Sequence, residues 1–373
     1  MLHLAYITTS FKPGAIPNII SEILPFIITD YKISIIVFEN EPDIYTEYTS
    51  IKNIGISFYF LNCKKRNIFK TYLKLRNCLK TINPDLIHSH LGRADIISAL
   101  VNLKRLPHIG TFHSVRKNFS PLTLLMFKII DPLLDFRTGV SQTVIDDFYS
   151  SSFLKSPHRV IYNPVSTNRL KINRKADELK TRFSIPENAT IIACIGRLVS
   201  AKGHIYLLNA FTEIYKNMKS AYLIIAGDGP LYSDLQNLAK NLNISDRVIF
   251  IGFYTPPSDI INLSKLVVFP SLWEGMGLVP LEALLLSRPI IASNLPVLRE
   301  CIPDGNGVYF VEPCNSKELA KAMKFMLEKR CDDYEPYFTK TIPIITNKYH
   351  AKTIAQQYMD IYNSVLTNRS EKI

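Results

Sequence analysis

Two glutamates eight residues apart, with two glycines between them, carry the clearest chemical signal in this 373-residue chain. Glu274 and Glu282 lie in the stretch from Ser271 to Ser293, together with Gly275 and Gly277. An apolar run ends near Phe269, the glycines mark a tight turn, and helix-forming sequence follows. Glycine lets a backbone come close to a ligand. Unpaired N–H groups at a helix start favour an anion such as phosphate. One carboxylate therefore stands in the turn and the other about one turn into the helix, with amides between them. That set suits a ligand bearing both hydroxyl groups and phosphate, as a nucleotide sugar does.

Such a turn needs a rigid frame. Short apolar runs rich in Ile, Val and Phe recur along the chain: 3–9, 32–38, 56–62, 84–90, 108–114, 136–141 and 158–164, then 190–198, 221–229, 247–253, 266–272, 288–294 and 307–313. They read as strands buried on both faces. Helical stretches separate most of them, which predicts parallel sheets. Between the two sets, from Ser166 to Glu187, apolar density drops and charge rises, as in Asn168-Arg169 and Arg174-Lys175. The expected organisation is an α/β chain with a Rossmann-like domain over 1–165, a linker over 166–187, a second such domain over 188–346, and a C-terminal helix and tail over 347–373. That helix should present Ile354, Tyr358, Ile361, Tyr362 and Val365 along one side. The stretch 317–329 should be another, with Leu319, Met323, Phe325 and Met326 as its apolar contribution. Ligands of such sheets bind at the carboxyl ends of the strands.

Composition narrows the setting. Hydrophobic residues make up 47% of the chain, enough for two cores. No apolar run reaches the roughly 18 residues of a membrane span. Met1-Leu2-His3-Leu4 has no basic segment ahead of its apolar run and reads as a first strand, not a signal peptide. Six cysteines are scattered without a Cys-x-x-Cys pair, which fits a reduced, cytoplasmic protein and no cysteine metal site. His88 and His90 alternate along a strand and so face one way; no third ligand at zinc spacing accompanies them, and a core or supporting role is expected.

Net charge is +12, and residues 51–130 alone hold fourteen Lys or Arg against two acids. A helix over 66–80 would set Arg66, Lys70, Lys74, Arg76 and Lys80 on one side and Ile68, Tyr72, Leu75 and Leu79 on the other. Leu122 to Ile130 is strongly apolar and follows Arg116 and Lys117. An anionic membrane surface is the expected partner of this charge, with a merely solvated basic face as the alternative reading. Nucleic acid is not expected, since neither a recognition module nor interleaved aromatic residues accompany it.

Taken together, the motifs resemble the retaining glycosyltransferases of family 4. Glu274 and Glu282 match that family's Glu-x7-Glu signature within Ser, Trp, Glu-Gly-x-Gly-Leu and Glu-Ala. Ile195-Gly196-Arg197-Leu198 with Lys202-Gly203 is similar to its Arg and Lys pair, Ala226-Gly227-Asp228-Gly229-Pro230 to its next strand end, and Asn163-Pro164-Val165 to the end of its first domain. The resemblance implies the GT-B fold: two Rossmann-like domains facing across a cleft, with the C-terminal helix crossing back to the first. It implies that Arg197, Lys202 and the amides of Met276, Gly277 and Leu278 offset charge on the leaving nucleoside diphosphate. Glu282 would accept ribose hydroxyls, and Glu274 hydroxyls of the transferred sugar. His113, in Gly110-Thr111-Phe112-His113-Ser114, matches a family histidine near the donor sugar, as a hydrogen-bond partner. Gly14 stands where the family has two glycines, and base contacts are expected near Gly252 and Phe253. The chain contains no Asp-x-Asp, so neither a metal nor a cofactor is expected.

The activity implied is hexosyl-type transfer, with retention, from a nucleoside diphosphate sugar to a hydroxyl of a glycan or lipid-linked acceptor. The expected donor is a UDP-sugar ahead of GDP-mannose. The setting is bacterial surface polysaccharide assembly (lipopolysaccharide, O antigen or capsule), at the inner face of the cell membrane. A nucleotide-sugar epimerase and a non-catalytic scaffold are the alternatives.

Overall fold

The structure, a computed structural model, describes residues 1–43, 46–64, 66–150, 152–165 and 168–370, with the side chains of 46, 47, 168, 331, 369 and 370 left aside. It divides into two compact units, Met1–Ser166 with Tyr349–Ile373, and Thr167–Lys348.

The first unit is built on β1 (Leu2–Thr8), β2 (Tyr31–Val37), β3 (Ser57–Phe60), β4 (Leu86–His90), β5 (His108–Phe112), β6 (Phe136–Gly139) and β7 (His158–Val160). Among the described residues these form one parallel sheet in the order β3-β2-β1-β4-β5-β6-β7. Strand order reverses between β1 and β4, so the loops after these strands border the point where doubly wound sheets take ligands. The C-terminal helix Ala351–Ser370 belongs to this unit, packs on the helix Ala15–Ile27, and buries all five residues expected along its inner side.

Two polar anchors specify that packing. The hydroxyls of Tyr6 and Tyr362 are 2.7 Å apart, and Tyr362 also lies 2.7 Å from His88 Nδ1. His88 Nε2 meets Thr111 Oγ1 at 2.7 Å. His88 thus takes the core role expected of it, spanning the C-terminal helix and β5.

The basic helix runs Ile68–Ile82 and packs through Thr71, Leu75 and Leu79, with Tyr72 half-buried. Ile68 departs from expectation. It is exposed, because it opens the first turn and runs past the apolar cluster that Leu75 and Leu79 join. Lys74 is only half-exposed and donates to the Leu61 carbonyl at 2.7 Å.

In the second unit β8 (Thr190–Ile195), β9 (Ala221–Ala226), β10 (Val248–Gly252), β11 (Leu266–Phe269), β12 (Ile290–Ser293) and β13 (Val308–Val311) form a parallel sheet ordered β10-β9-β8-β11-β12-β13 among the described residues. Here the reversal lies between β8 and β11. The helix Ser316–Glu328 buries Leu319, Met323 and Met326, but Phe325 is exposed, since it falls on the outer side of the helix.

Residues 168–187, expected as linker, pack on this unit. Leu179 and Ile185 are buried, the helix Ala176–Arg182 packs on the helix Ser258–Leu263, and Asp259 accepts from the backbone N–H groups of Asn173 and Arg174 at 2.7 and 3.2 Å. Their polar composition hid a few well-placed apolar contacts.

Candidate active site

The loops after β8 and β11 meet at the second sheet's reversal point. Leu272 donates to the Ala201 carbonyl at 2.7 Å. Gly203 has φ +63°, and a Cβ there would stand 2.0 Å from the carbonyl oxygen of Pro270. Only glycine lets the two loops come this close. The contact brings Lys202 to Glu274: Lys202 Nζ donates to Glu274 Oε1 at 2.5 Å. Ser271, buried at the end of β11, donates to the same oxygen at 2.7 Å. Both donors converge on Oε1. Glu274 Oε2 has no partner among the described residues, and it is not one of the enclosed polar atoms. One face of this carboxylate is therefore fixed and the other is open.

Arg197 follows β8 with an exposed side chain, free of ion pairs among the described residues. Beyond Glu274 the turn buries Met276, and Gly277 (φ +84°) opens the helix Leu278–Leu285. A Cβ on Gly277 would lie 2.7 Å from Leu298 Cδ2, so that turn too requires glycine. Phe253 is exposed just past β10, following Gly252 at φ +70°.

Glu282 lies within the helix, 1% exposed. Arg169 Nε donates to Oε1 at 2.6 Å and Nη2 to Oε2 at 3.1 Å, a two-pronged ion pair. Neither Ser271 nor Arg169 was singled out as a site residue from the sequence. Ser271 had a usable signal, a hydroxyl three residues before Glu274 at a strand end. Arg169 had none, being 113 residues from its partner.

In the first unit, His113 follows β5 and His90 ends β4, both beside the reversal point. His90 Nδ1 and His113 Nε2 are 3.0 Å apart. His90 stacks on Tyr6 with ring centres 5.4 Å apart. Burial pushes the His113 imidazole down to about 3 and holds His90 well below its ordinary value, with His88 adding to the second effect. Both rings are neutral at physiological pH, so one donates and the other accepts, and the tautomer of each is tied to that of the other. Gly14 precedes the helix Ala15–Ile27 in extended backbone, where a Cβ would meet nothing nearer than 3.8 Å. Its own backbone does not demand glycine.

Among the described residues no three His, Cys, Asp or Glu side chains gather as a metal site, and no helix is long and apolar enough to cross a membrane.

The family model for glycosyl transferases group 1 matches residues 175–340, and that for glycosyltransferase family 4 matches residues 29–169. Alpha-D-kanosaminyltransferase of Streptomyces kanamyceticus is 30% identical over 302 residues, 75% of this chain and 77% of that protein. The chain belongs to the family 4, group 1 glycosyltransferases. This glycosyltransferase is also similar to the Escherichia coli O-antigen biosynthesis glycosyltransferase WclY, 23% identical over 374 residues, covering 98% of this chain and 99% of the relative. Among solved structures, Anabaena Alr3699/HepE in complex with UDP-glucose aligns with a TM-score of 0.83 at 20% identity, over 98% of this chain and 100% of that one. The fold is GT-B, with two parallel-sheet Rossmann-like units as the motifs implied.

Proposed function

We propose that this glycosyltransferase moves a sugar, with retention of its anomeric configuration and without a metal, from a UDP-sugar to a hydroxyl of a glycan or lipid-linked acceptor in surface polysaccharide assembly. The observation that carries the reading is the Lys202–Glu274–Ser271 contact at the second sheet's reversal point. It sets an ammonium against an oriented carboxylate with one open oxygen, in the turn that leads into the helix Leu278–Leu285. A diphosphate at this point would meet Lys202, Arg197 and the amides of Gly277 and Leu278, which stabilise the charge of the departing nucleotide. Glu274 Oε2 would accept a hydroxyl of the transferred sugar, Glu282 the ribose hydroxyls, and Phe253 would lie against the base. The role assigned to His113 is hydrogen bonding and not base catalysis, since an imidazole held at about 3 is a weak base at neutral pH.

In the mechanism we favour, the acceptor oxygen attacks the anomeric carbon on the face that the phosphate leaves. The bond from carbon to phosphate oxygen breaks, the bond to the acceptor forms, and the acceptor's proton passes to the leaving phosphate. The protein's share is positioning and charge stabilisation. UDP is favoured because the Anabaena protein was solved with UDP-glucose, and the polysaccharide setting is supported by the named role of WclY.

The basic 51–130 region suggests an anionic membrane as a second partner. Its helix Ile68–Ile82 exposes Ile68, Phe69 and Leu73 beside lysines, and Pro121–Ile130 exposes Leu122, Leu125 and Ile129.

NMR of a panel of UDP- and GDP-sugars incubated with saccharide acceptors in EDTA tests the reaction. A new glycosidic linkage with the donor's anomeric configuration supports it. Inversion, or donor epimerisation without transfer, would refute it.

A further inference from the structure

Arg169 lies on the segment that enters the second unit, and its guanidinium closes on both oxygens of Glu282 at 2.6 and 3.1 Å. We propose that Arg169 is a positioning residue for this carboxylate, holding it in the orientation that tells a ribonucleoside diphosphate from its 2′-deoxy counterpart. The proposal rests on the reading of Glu282 as the ribose-side group.

Three features carry it. The first is the burial of Glu282, 1% exposed in the middle of the helix Leu278–Leu285. Leaving a buried carboxylate without a cation is costly, and Arg169 is its ion-pair partner among the described residues. The second is the shape of the contact. A planar fork bound to both oxygens fixes the carboxylate plane, which a single ammonium would leave free to turn. Each oxygen spends one lone-pair direction on Arg169 and keeps another, so the pair can still accept from two neighbouring hydroxyls. With 18% side-chain exposure against 2% for Glu282, Arg169 is the more open member of the pair.

The third feature is that Arg169 is not a roaming surface side chain. Just beyond it, Ser258 Oγ donates to the Lys171 carbonyl at 2.5 Å, and Asp259 Oδ1 accepts from the N–H groups of Asn173 and Arg174 at 2.7 and 3.2 Å. These anchors hold the backbone behind the fork, so orienting the guanidinium costs little further entropy. A site built to bind a hydroxyl rejects the analogue lacking it, because a buried acceptor is left unpaired. That rejection depends on the acceptor being held in place.

The test measures Kd for UDP and 2′-deoxy-UDP by titration calorimetry on the parent protein, Arg169→Gln, Arg169→Lys and Glu282→Gln. The parent should prefer UDP by about tenfold or more, the size of one hydrogen bond to a charged group. Arg169→Gln and Glu282→Gln should each bring the two nucleotides within about twofold, with Arg169→Lys between these and the parent. Equal weakening of both nucleotides in Arg169→Gln, with the parent's ratio kept, would make Arg169 a tether only and overturn the proposal. A parent that binds both nucleotides equally would remove the ribose role of Glu282 and the inference with it. A parent that binds neither would overturn the nucleoside diphosphate reading itself. Thermal unfolding checks that each variant is folded, and if Arg169→Gln is not, the ratio in Arg169→Lys decides: a ratio equal to the parent's overturns the proposal.

Discussion

At the scale of single residues, Glu274 is defined by what it has already accepted. Lys202 and Ser271 both donate to Oε1, leaving Oε2 for a ligand. A diphosphate nearby would compete for the Lys202 ammonium, and Ser271 would then be the contact that keeps the carboxylate in place. Ser271→Ala should therefore lower kcat/KM about tenfold while UDP affinity changes by less than about twofold. Steady-state kinetics and UDP titration check the split, and parallel losses in both would mean a general distortion of the turn. The spacing of Glu274, Glu282, Arg197 and Lys202 around glycines is written locally in the sequence, and of these the structure brings Lys202 to Glu274. Arg169 was not legible there, since its pairing with Glu282 spans 113 residues; its place among Thr167, Asn168 and Arg174 suggested only a solvated linker. Sequence also paired His88 with His90 as strand neighbours, but the bond from His90 to His113 at 3.0 Å needed the folded β4–β5 pairing.

Among elements, the strands were the most legible part of the fold. Buried on both faces, β1, β2, β8 and β9 read as nearly unbroken apolar runs. The expected strands ran past their ends, as at Gly196–Leu198 and Gly227–Gly229, where the chain leaves the ladder at a glycine. For the helix Ala351–Ser370 the packing face was readable but its polar anchoring was not. Tyr362 bridges Tyr6 and His88, both buried. Tyr362→Phe removes the shared hydroxyl and leaves two buried polar groups without it, so a loss of about 1–3 kcal/mol is expected. Urea unfolding should show a lower midpoint at unchanged slope; an unchanged midpoint would mean that the network adds nothing to stability.

For the molecule as a whole, buried histidines set the response to acid. His113 is held down to about 3 and His204 to about 4, and His88 and His90 lie well below the ordinary 6.5, all chiefly through burial. Below pH 6.5 the unfolded chain takes up protons that the folded chain refuses, so stability falls as pH drops from 6.5 toward 4. Asp95 acts oppositely, since burial pushes its carboxyl from 3.8 up to about 7 against the pull of Arg137. One carboxyl does not offset four histidines. The urea midpoint should be lower at pH 5 than at pH 7.5, and the reverse order would show that Asp95 dominates.

Charge distribution bears on the partner at the same scale. With fourteen basic residues in 51–130 and on the order of 1 kcal/mol for each one near an anionic surface, flotation with anionic liposomes should recover the protein and neutral liposomes should not. Equal recovery would sink the electrostatic account. The central claim, that the Lys202–Glu274 turn receives a nucleoside diphosphate, is tested most directly by calorimetric titration of UDP and GDP in EDTA, on the parent and on Lys202→Ala. UDP should bind saturably, tighter than GDP, and at least tenfold more weakly to Lys202→Ala. No binding to the parent, or equal affinity in the variant, would contradict that claim.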